Sequence, residues 1–148
     1  MELKGSKTEE VLMKVSAGEL QANSHYLYFA DIAREAGFKQ IADMFSATAK
    51  NEAEHAKHAF EFLGSAEDIR TNLKLAISGE HEEATRFCPE AAKVAEEKGF
   101  TEIVDFLRRV STVEEKHDKN FLELLEALDK NETFKGRTVG NSAVEIER

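Results

Sequence analysis

The sequence lacks tryptophan and has one proline, one cysteine and eight glycines among its 148 residues. The single cysteine, Cys88, excludes an internal disulfide and a metal cluster held by cysteines alone. Few prolines and glycines leave long helices uninterrupted. Apolar residues form no run near the roughly 20 that a membrane-spanning helix needs, and the first residues contain no apolar export signal. We therefore expect a cytoplasmic, helical protein with no membrane partner.

Basic residues are also scarce, because 20 lysines and arginines face 29 acidic residues, a formal net charge of −9 at pH 7. Excess negative charge repels phosphate groups, so we expect neither nucleic acid nor an anionic membrane surface as a partner. A chain of this length can form one domain that buries roughly two-thirds of its unfolded surface.

Apolar residues recur in steps of three and four along four stretches, which predicts four amphipathic helices. The first, second and fourth helices are predicted at about 7–36, 38–63 and 101–130. The third should begin just after the capping-box stretch 65–68 and end before Gly99. Pro89 lies inside the third helix, where it should kink the helix or open a turn. Residues 131–148 show no helical period, and we interpret them as a flexible or extended tail that follows a domain of residues 1–130.

Acidic residues and histidines interrupt the apolar positions of all four helices. A Glu and a His three residues apart on a helix lie about 60° apart around its axis, so they can bind one metal ion together. The chain has two such Glu-x-x-His pairs, and four-helix bundles build two-metal carboxylate sites from pairs of this kind with further glutamates. The candidate ligands are Glu19, Glu52, His55, Glu80, Glu83, Glu114 and His117.

Five ionised carboxylates cannot share one core without compensating positive charge, which two metal cations would provide. If the helical register were shifted by one residue, these side chains would instead face solvent, but the same shift would have to occur in every helix.

The chain is an internal repeat, with halves of about 7–63 and 65–130. Residues 33–43 match residues 95–105 at an offset of 62, whereas Glu19 matches Glu80 at an offset of 61. Two related helical hairpins would therefore bring two equivalent half-sites together. Glu83 breaks this symmetry because its counterpart lies near Ala22, so one metal should have an extra carboxylate.

These motifs, at residues 18–23, 51–56, 79–83 and 114–117, resemble the diiron domain of the rubrerythrin family, and the resemblance covers about residues 3–130. It implies an all-α, ferritin-like four-helix bundle with a diiron carboxylate centre at the seven candidate ligands. It also implies a peroxidase of oxidative-stress defence that reduces hydrogen peroxide to water. In the family one iron moves between a glutamate and a histidine as the redox state changes, and these match Glu83 and His55. Tyr26 matches a tyrosine near the centre, where it can donate a hydrogen bond or a proton.

Two departures from the family pattern affect the expected partners. Rubrerythrins usually carry a rubredoxin domain with four cysteines, whereas this sequence has Cys88 alone, so we expect electrons from a separate rubredoxin-like or other electron-transfer protein. Cys88 replaces a family tyrosine, and we interpret it as a buried, inert thiol, with a redox-active thiol as the alternative. An iron-binding protein of ferroxidase type and a non-catalytic metal-binding protein also remain open, because Zn or Mn can replace Fe at such ligands.

The connection between the second and third helices predicts how the chains assemble. A ferritin-like bundle requires these helices to run in the same direction, yet only 27 residues separate Glu52 from Glu80. If each helix extends 11–12 residues from its ligand, the connection must climb about 33 Å, and the five or six residues left reach at most about 20 Å. We therefore expect a domain-swapped homodimer; the alternative is an up-down-up-down monomer.

Overall fold

The computed structural model describes residues 2–64 and 68–130, and all regular secondary structure in these ranges is helical, which confirms the predicted all-α class. The elements are α1 (Lys7–Glu35), α2 (Lys39–Phe62), α3 (Ile69–Glu82), a π-helical segment (Glu83–Phe87), α4 (Cys88–Glu97) and α5 (Thr101–Asp129). The chain divides into two compact units, Met1–Glu67 with α1 and α2, and Asp68–Arg148 with the remaining elements. The predicted tail at 131–148 lies outside the described residues. None of the helices described is long and apolar enough to cross a membrane.

The same turn joins the two helices of each hairpin. Gly37 and Gly99 adopt positive φ angles of 83° and 77°, which side chains with a Cβ rarely tolerate. Directly after them, the backbone N–H of Phe38 donates to the Ala33 carbonyl at 2.8 Å, and the N–H of Phe100 donates to the Ala95 carbonyl at 3.0 Å. These bonds satisfy carbonyls that the helix ends would otherwise leave without partners.

The start of the third helix differs from the prediction. The carboxylate of Asp68 accepts hydrogen bonds from the backbone N–H groups of Arg70 and Thr71, so the helix begins at Ile69. The predicted cap at Ser65 is wrong, because Asp68 is the residue that satisfies the free N–H groups of the first turn. Ser65 itself lies outside the described residues.

Small side chains form the contact between the helices of the first unit. Ala42, Ala49 and Ala56 recur every seven residues of α2 and are 0%, 0% and 3% exposed. The corresponding positions of α5, at the repeat offset of 62, are Val104, Ser111 and Asp118. The second unit therefore has two polar residues at positions where the first unit has alanine.

Large apolar side chains of the predicted stripes remain exposed in both units. Phe29 and Ile41 in the first unit, and Val94 and Ile103 in the second, are each 43–59% exposed. Among the described residues no large side chain is fully buried. The predicted apolar stripe is thus wider than the contact within one hairpin, and each hairpin presents an apolar face for further packing.

The π-helical segment absorbs one extra residue of the repeat. The offset between the halves changes from 61 at Glu19 and Glu80 to 62 at Ala33 and Ala95, so the second half has one more residue in this interval. The segment Glu83–Phe87 lies within that interval, and a π turn holds one residue more than an α turn. It also ends at Phe87, two residues before Pro89, whose ring would clash with the carbonyl four residues earlier in a regular α-helix. The break predicted near Pro89 is therefore a π segment.

Candidate metal centre

The first unit brings together Glu19 from α1 with Glu52 and His55 from α2. We name these three residues the first cluster; one potential ligand atom of each lies within 4.8 Å of the others. Nδ1 of His55 is 2.9 Å from Oε2 of Glu52 and 3.8 Å from Oε2 of Glu19. Nδ1 is therefore the imidazole nitrogen positioned to bind a metal beside both carboxylates.

The second unit contains the equivalent arrangement. Glu80 from α3 meets Glu114 and His117 from α5, again with one ligand atom of each within 4.8 Å, and we name these residues the second cluster. Nδ1 of His117 lies 2.6 Å from Oε2 of Glu114 and 3.2 Å from Oε2 of Glu80. The two hairpins thus present the same three donors with the same nitrogen facing the carboxylates.

The proximity of the carboxylates changes their proton affinity. A hydrogen bond with Glu52 raises the pKa of Glu19, because one proton shared by two carboxyl groups relieves their repulsion. Burial, followed by a hydrogen bond with Glu114, raises the pKa of Glu80. Desolvation lowers the pKa of His117, but hydrogen bonds and charge interactions with Glu114 and Glu80 outweigh it and raise the pKa overall. Both clusters therefore favour added positive charge.

The donor sets fit a transition-metal ion. Ligands about 2.1 Å from one ion lie within about 4.2 Å of one another, close to the spacing in each cluster. Carboxylate oxygen and imidazole nitrogen suit Fe, Mn and Zn, and the repulsion between the paired carboxylates favours positive charge between them. The clusters are partly exposed rather than buried: the side chains of Glu52 and Glu114 are 17% and 16% exposed. The residues that would hold the metals are therefore those of the two clusters.

Two predicted site residues lie outside the clusters. Glu83 is an exposed residue at the first position of the π segment and does not join the three donors of the second cluster. Tyr26 is half-buried, its ring stacked on Phe45 with centroids 5.9 Å apart and edge-on to Phe29 at 6.3 Å. The structure thus places Tyr26 in an aromatic group two helical turns from Glu19.

Two polar links, one from α3 and one from the π segment, join this region to α5 and were not predicted from the sequence. Nδ1 of His81 lies 3.0 Å from Oδ2 of Asp118, and the hydroxyl of Ser111 donates to the Ala84 carbonyl at 2.7 Å. A signal existed, because Ser111 and Asp118 stand at the repeat positions of two buried alanines.

Cys88 is buried, as predicted from the sequence. Burial raises the pKa of its thiol, and the charges of Glu83 and Glu114 raise it further. A thiol with a raised pKa holds little of the reactive thiolate at neutral pH, which agrees with an inert role.

Comparison with known proteins identifies relatives over most of the chain. The family model described as Rubrerythrin matches residues 10–125 and 71–147. A rubrerythrin of Clostridium perfringens is 40% identical over 90% of this chain and 77% of its own length. A rubrerythrin of Porphyromonas gingivalis is 40% identical over 89% of this chain and 72% of its own length. A solved structure of fully reduced, all-ferrous nigerythrin is 28% identical over 85% of this chain and 72% of that chain, with a TM-score of 0.43.

Proposed function

Because this chain belongs to the rubrerythrin family, we propose that it is a diiron peroxidase that reduces hydrogen peroxide to water. The observation that carries the proposal is the pair of matching clusters, each with two carboxylates and one imidazole Nδ1 within 4.8 Å. When bound as a ferrous pair, iron supplies the two electrons that reductive cleavage of the peroxide O–O bond requires. The predicted family is confirmed, and the peroxidase activity is the proposal.

The clusters would hold two metals through residues of every long helix. The glutamates provide negative charge that offsets the positive charge of the metals, and the histidines provide one softer nitrogen donor each. Glu83 would be the additional carboxylate, available to a metal beside the second cluster from the first position of the π segment. His55 is the more exposed of the two histidines, with 58% against 45% for His117, which gives its ring more freedom to move.

Reduction of one peroxide to two waters also consumes two protons. We assign the phenol of Tyr26 as a donor of a hydrogen bond or proton to the bound substrate. Its ring packs against Phe29 and Phe45, and these contacts restrict the positions that the hydroxyl can occupy. A positioned acid of this kind commonly accelerates a reaction by about 100-fold or more.

The electrons would come from a separate electron-transfer protein. The buried, protonated thiol of Cys88 is a poor redox partner. Repeated turnover should therefore need electrons from a redox centre other than Cys88.

We also propose that the working form is a domain-swapped homodimer, in which α1 and α2 of one protomer pack with α3–α5 of its partner in a ferritin-like bundle. Residues 63–68, which separate α2 from α3, are too few to climb along a bundle of this length. Each hairpin leaves large apolar side chains exposed, such as Phe29 and Val94, and a second copy of the chain would cover them. One two-metal centre would then combine the first cluster of one protomer with the second cluster of its partner.

Oxidation of the Fe(II)-loaded protein tests the proposed activity. Stopped-flow absorbance would compare hydrogen peroxide with dioxygen as the oxidant at equal concentration. We expect peroxide to oxidise the iron much faster, with one peroxide consumed per two Fe(II). If dioxygen reacts as fast, the protein is a ferroxidase or oxidase instead; if neither oxidant reacts, it is a non-catalytic metal-binding protein.

A further inference from the structure

We propose that Ser111 is a positioning residue whose hydroxyl fixes the π segment against α5 and so sets the place of the Glu83 carboxylate beside the second cluster. This inference rests on the proposed function, in which Glu83 is a metal ligand. It concerns a residue that belongs to neither cluster and whose hydroxyl bonds to a backbone carbonyl.

Pro89 creates the need for such a group. The backbone N–H of Cys88 donates to the Glu83 carbonyl, five residues earlier, in the pattern of a π-helix. Continued by one residue, this pattern pairs the N–H of residue 89 with the Ala84 carbonyl. Proline has no N–H, so the Ala84 carbonyl loses this donor. Ala84 is buried, and a buried carbonyl without a partner is unfavourable.

The hydroxyl of Ser111 meets this need. It lies 2.7 Å from the Ala84 carbonyl oxygen, a strong hydrogen-bond distance for a hydroxyl donor. The neighbouring Thr112 is exposed, and its hydroxyl donates within its own helix, to the Arg108 carbonyl at 3.1 Å. Of these two neighbouring hydroxyls, that of Ser111 bonds to the π segment and that of Thr112 does not.

The first unit shows the arrangement without a π segment. The counterpart of Ser111 is Ala49, and α1 continues as an α-helix from Lys7 to Glu35. There the polar link has the opposite direction, since the side-chain amide of Asn23 on α1 donates to the Ala49 carbonyl at 2.7 Å. The serine hydroxyl thus occurs in the half of the repeat that has both the extra residue and the proline.

Ser111 also connects the two places that carry ligands. It precedes Glu114 by three residues, one turn of α5, and Ala84 directly follows Glu83. The charges of Glu83 and Glu114 both raise the pKa of the Cys88 thiol, so both carboxylates act on the residue that follows the π segment. A bond that fixes Ala84 to α5 therefore limits the distance over which Glu83 can move relative to Glu114.

A double-mutant cycle in the metal-free protein tests the hydrogen bond itself. We would measure urea midpoints for wild type, S111A, P89A and S111A/P89A. In P89A the N–H of residue 89 can pair with the Ala84 carbonyl, so S111A should lower the midpoint less in P89A than in wild type. S111T, which keeps the hydroxyl, should retain most of the wild-type midpoint. An equal loss from S111A in both backgrounds would overturn the pairing.

Cobalt(II) absorption tests the positioning role, with the metal alone as the probe. S111A should weaken Co(II) binding by about tenfold or more and shift the visible bands in the direction that E83Q shifts them. In the E83Q background S111A should have no further effect on the bands. T112A, the matched control, should leave affinity and bands unchanged.

The outcomes separate this inference from the proposed function. If E83Q changes the Co(II) spectrum and S111A does not, Ser111 is merely structural and the inference is wrong, whereas Glu83 remains a ligand. If S111A shifts the bands equally in wild type and E83Q, Ser111 acts without Glu83 and the inference is again wrong. If E83Q itself changes neither affinity nor spectrum, the assignment of Glu83 fails, and the positioning role fails with it.

Discussion

Nδ1 of His81 on α3 lies 3.0 Å from Oδ2 of Asp118 on α5, one residue beyond the contact between Glu80 and His117. Asp118 is 9% exposed, and its Oδ1 has no hydrogen-bond partner among the described residues. His81 is therefore the partner that compensates for burial of this carboxylate. The pair holds α3 and α5 together beside the second cluster without using a metal ligand.

Replacement of His81 by alanine should destabilise the metal-free protein by about 1–3 kcal/mol, because a buried carboxylate would lose its partner. In a D118A background, which has alanine as at the repeat position Ala56 of the first unit, H81A should change the free energy of unfolding very little. Urea unfolding of the four variants measures this difference. Equal losses from H81A in both backgrounds would contradict a direct link.

Glu52 and its neighbour Glu54 offer a matched pair for the first cluster. E52Q removes a ligand and should weaken Co(II) or Fe(II) binding there by at least about 100-fold, whereas E54Q, at an exposed position outside the cluster, should not. Titration followed by absorbance measures both affinities. E52Q should not destabilise the metal-free protein. It removes a negative charge that is unfavourable beside Glu19, whose pKa Glu52 raises. A similar loss of affinity in both variants would refute the cluster.

The two tyrosines of the chain allow a similar comparison. Y26F should lower the rate of peroxide reduction by about 100-fold while leaving Fe(II) affinity unchanged, because a positioned acid is lost and no ligand is. Tyr28 is 65% exposed, and Y28F should behave as wild type. Stopped-flow oxidation of the Fe(II)-loaded variants provides the rates. A Y26F protein with the wild-type rate would show that Tyr26 only fills the aromatic group.

Stability of the metal-free protein should fall as the pH rises. A group whose pKa is raised on folding stabilises the native state below its unfolded pKa, 6.5 for His117, and this contribution is lost as the pH rises through the folded pKa. The thermal midpoint should therefore decrease as the pH rises above about 6.5, and H117Q should flatten the change. Metal binding should strengthen over the same range, because protons leave the ligands. An unchanged slope in H117Q would contradict this assignment.

The helices and the donor sets were accessible from the sequence because both depend on local spacing. Three-residue separation on a helix brings Glu52 to His55 and Glu114 to His117 wherever the helix packs. The repeat indicated that both hairpins would contain the same donors, and the structure shows the same turn in each, at Gly37 and Gly99. All of these features follow from helical periodicity and backbone geometry alone.

The features missed from the sequence depend on contacts between helices. The change of offset from 61 to 62 marked an extra residue, but not that a π segment at Glu83–Phe87 would absorb it. The third helix starts at Ile69 because the carboxylate of Asp68 accepts hydrogen bonds from two backbone N–H groups. The capping-box pattern at 65–68 did not show which of its residues would be the cap. The contact of His81 could not be predicted from spacing because its buried partner, Asp118, lies on another helix.

If one two-metal centre combines the first cluster of one chain with the second cluster of another, two variants with defects in different clusters should together form an intact centre. Subunit complementation measures this. E52Q and E114Q chains would be unfolded together, refolded, loaded with Fe(II) and assayed for peroxide reduction, with each variant refolded alone as the control. In a swapped dimer, half of the mixed population pairs the two variants and gives one intact site per dimer, so about a quarter of wild-type activity should return. Light scattering should show twice the 16.6 kDa chain mass. No recovery of activity on mixing, or a 16.6 kDa particle, would contradict the account.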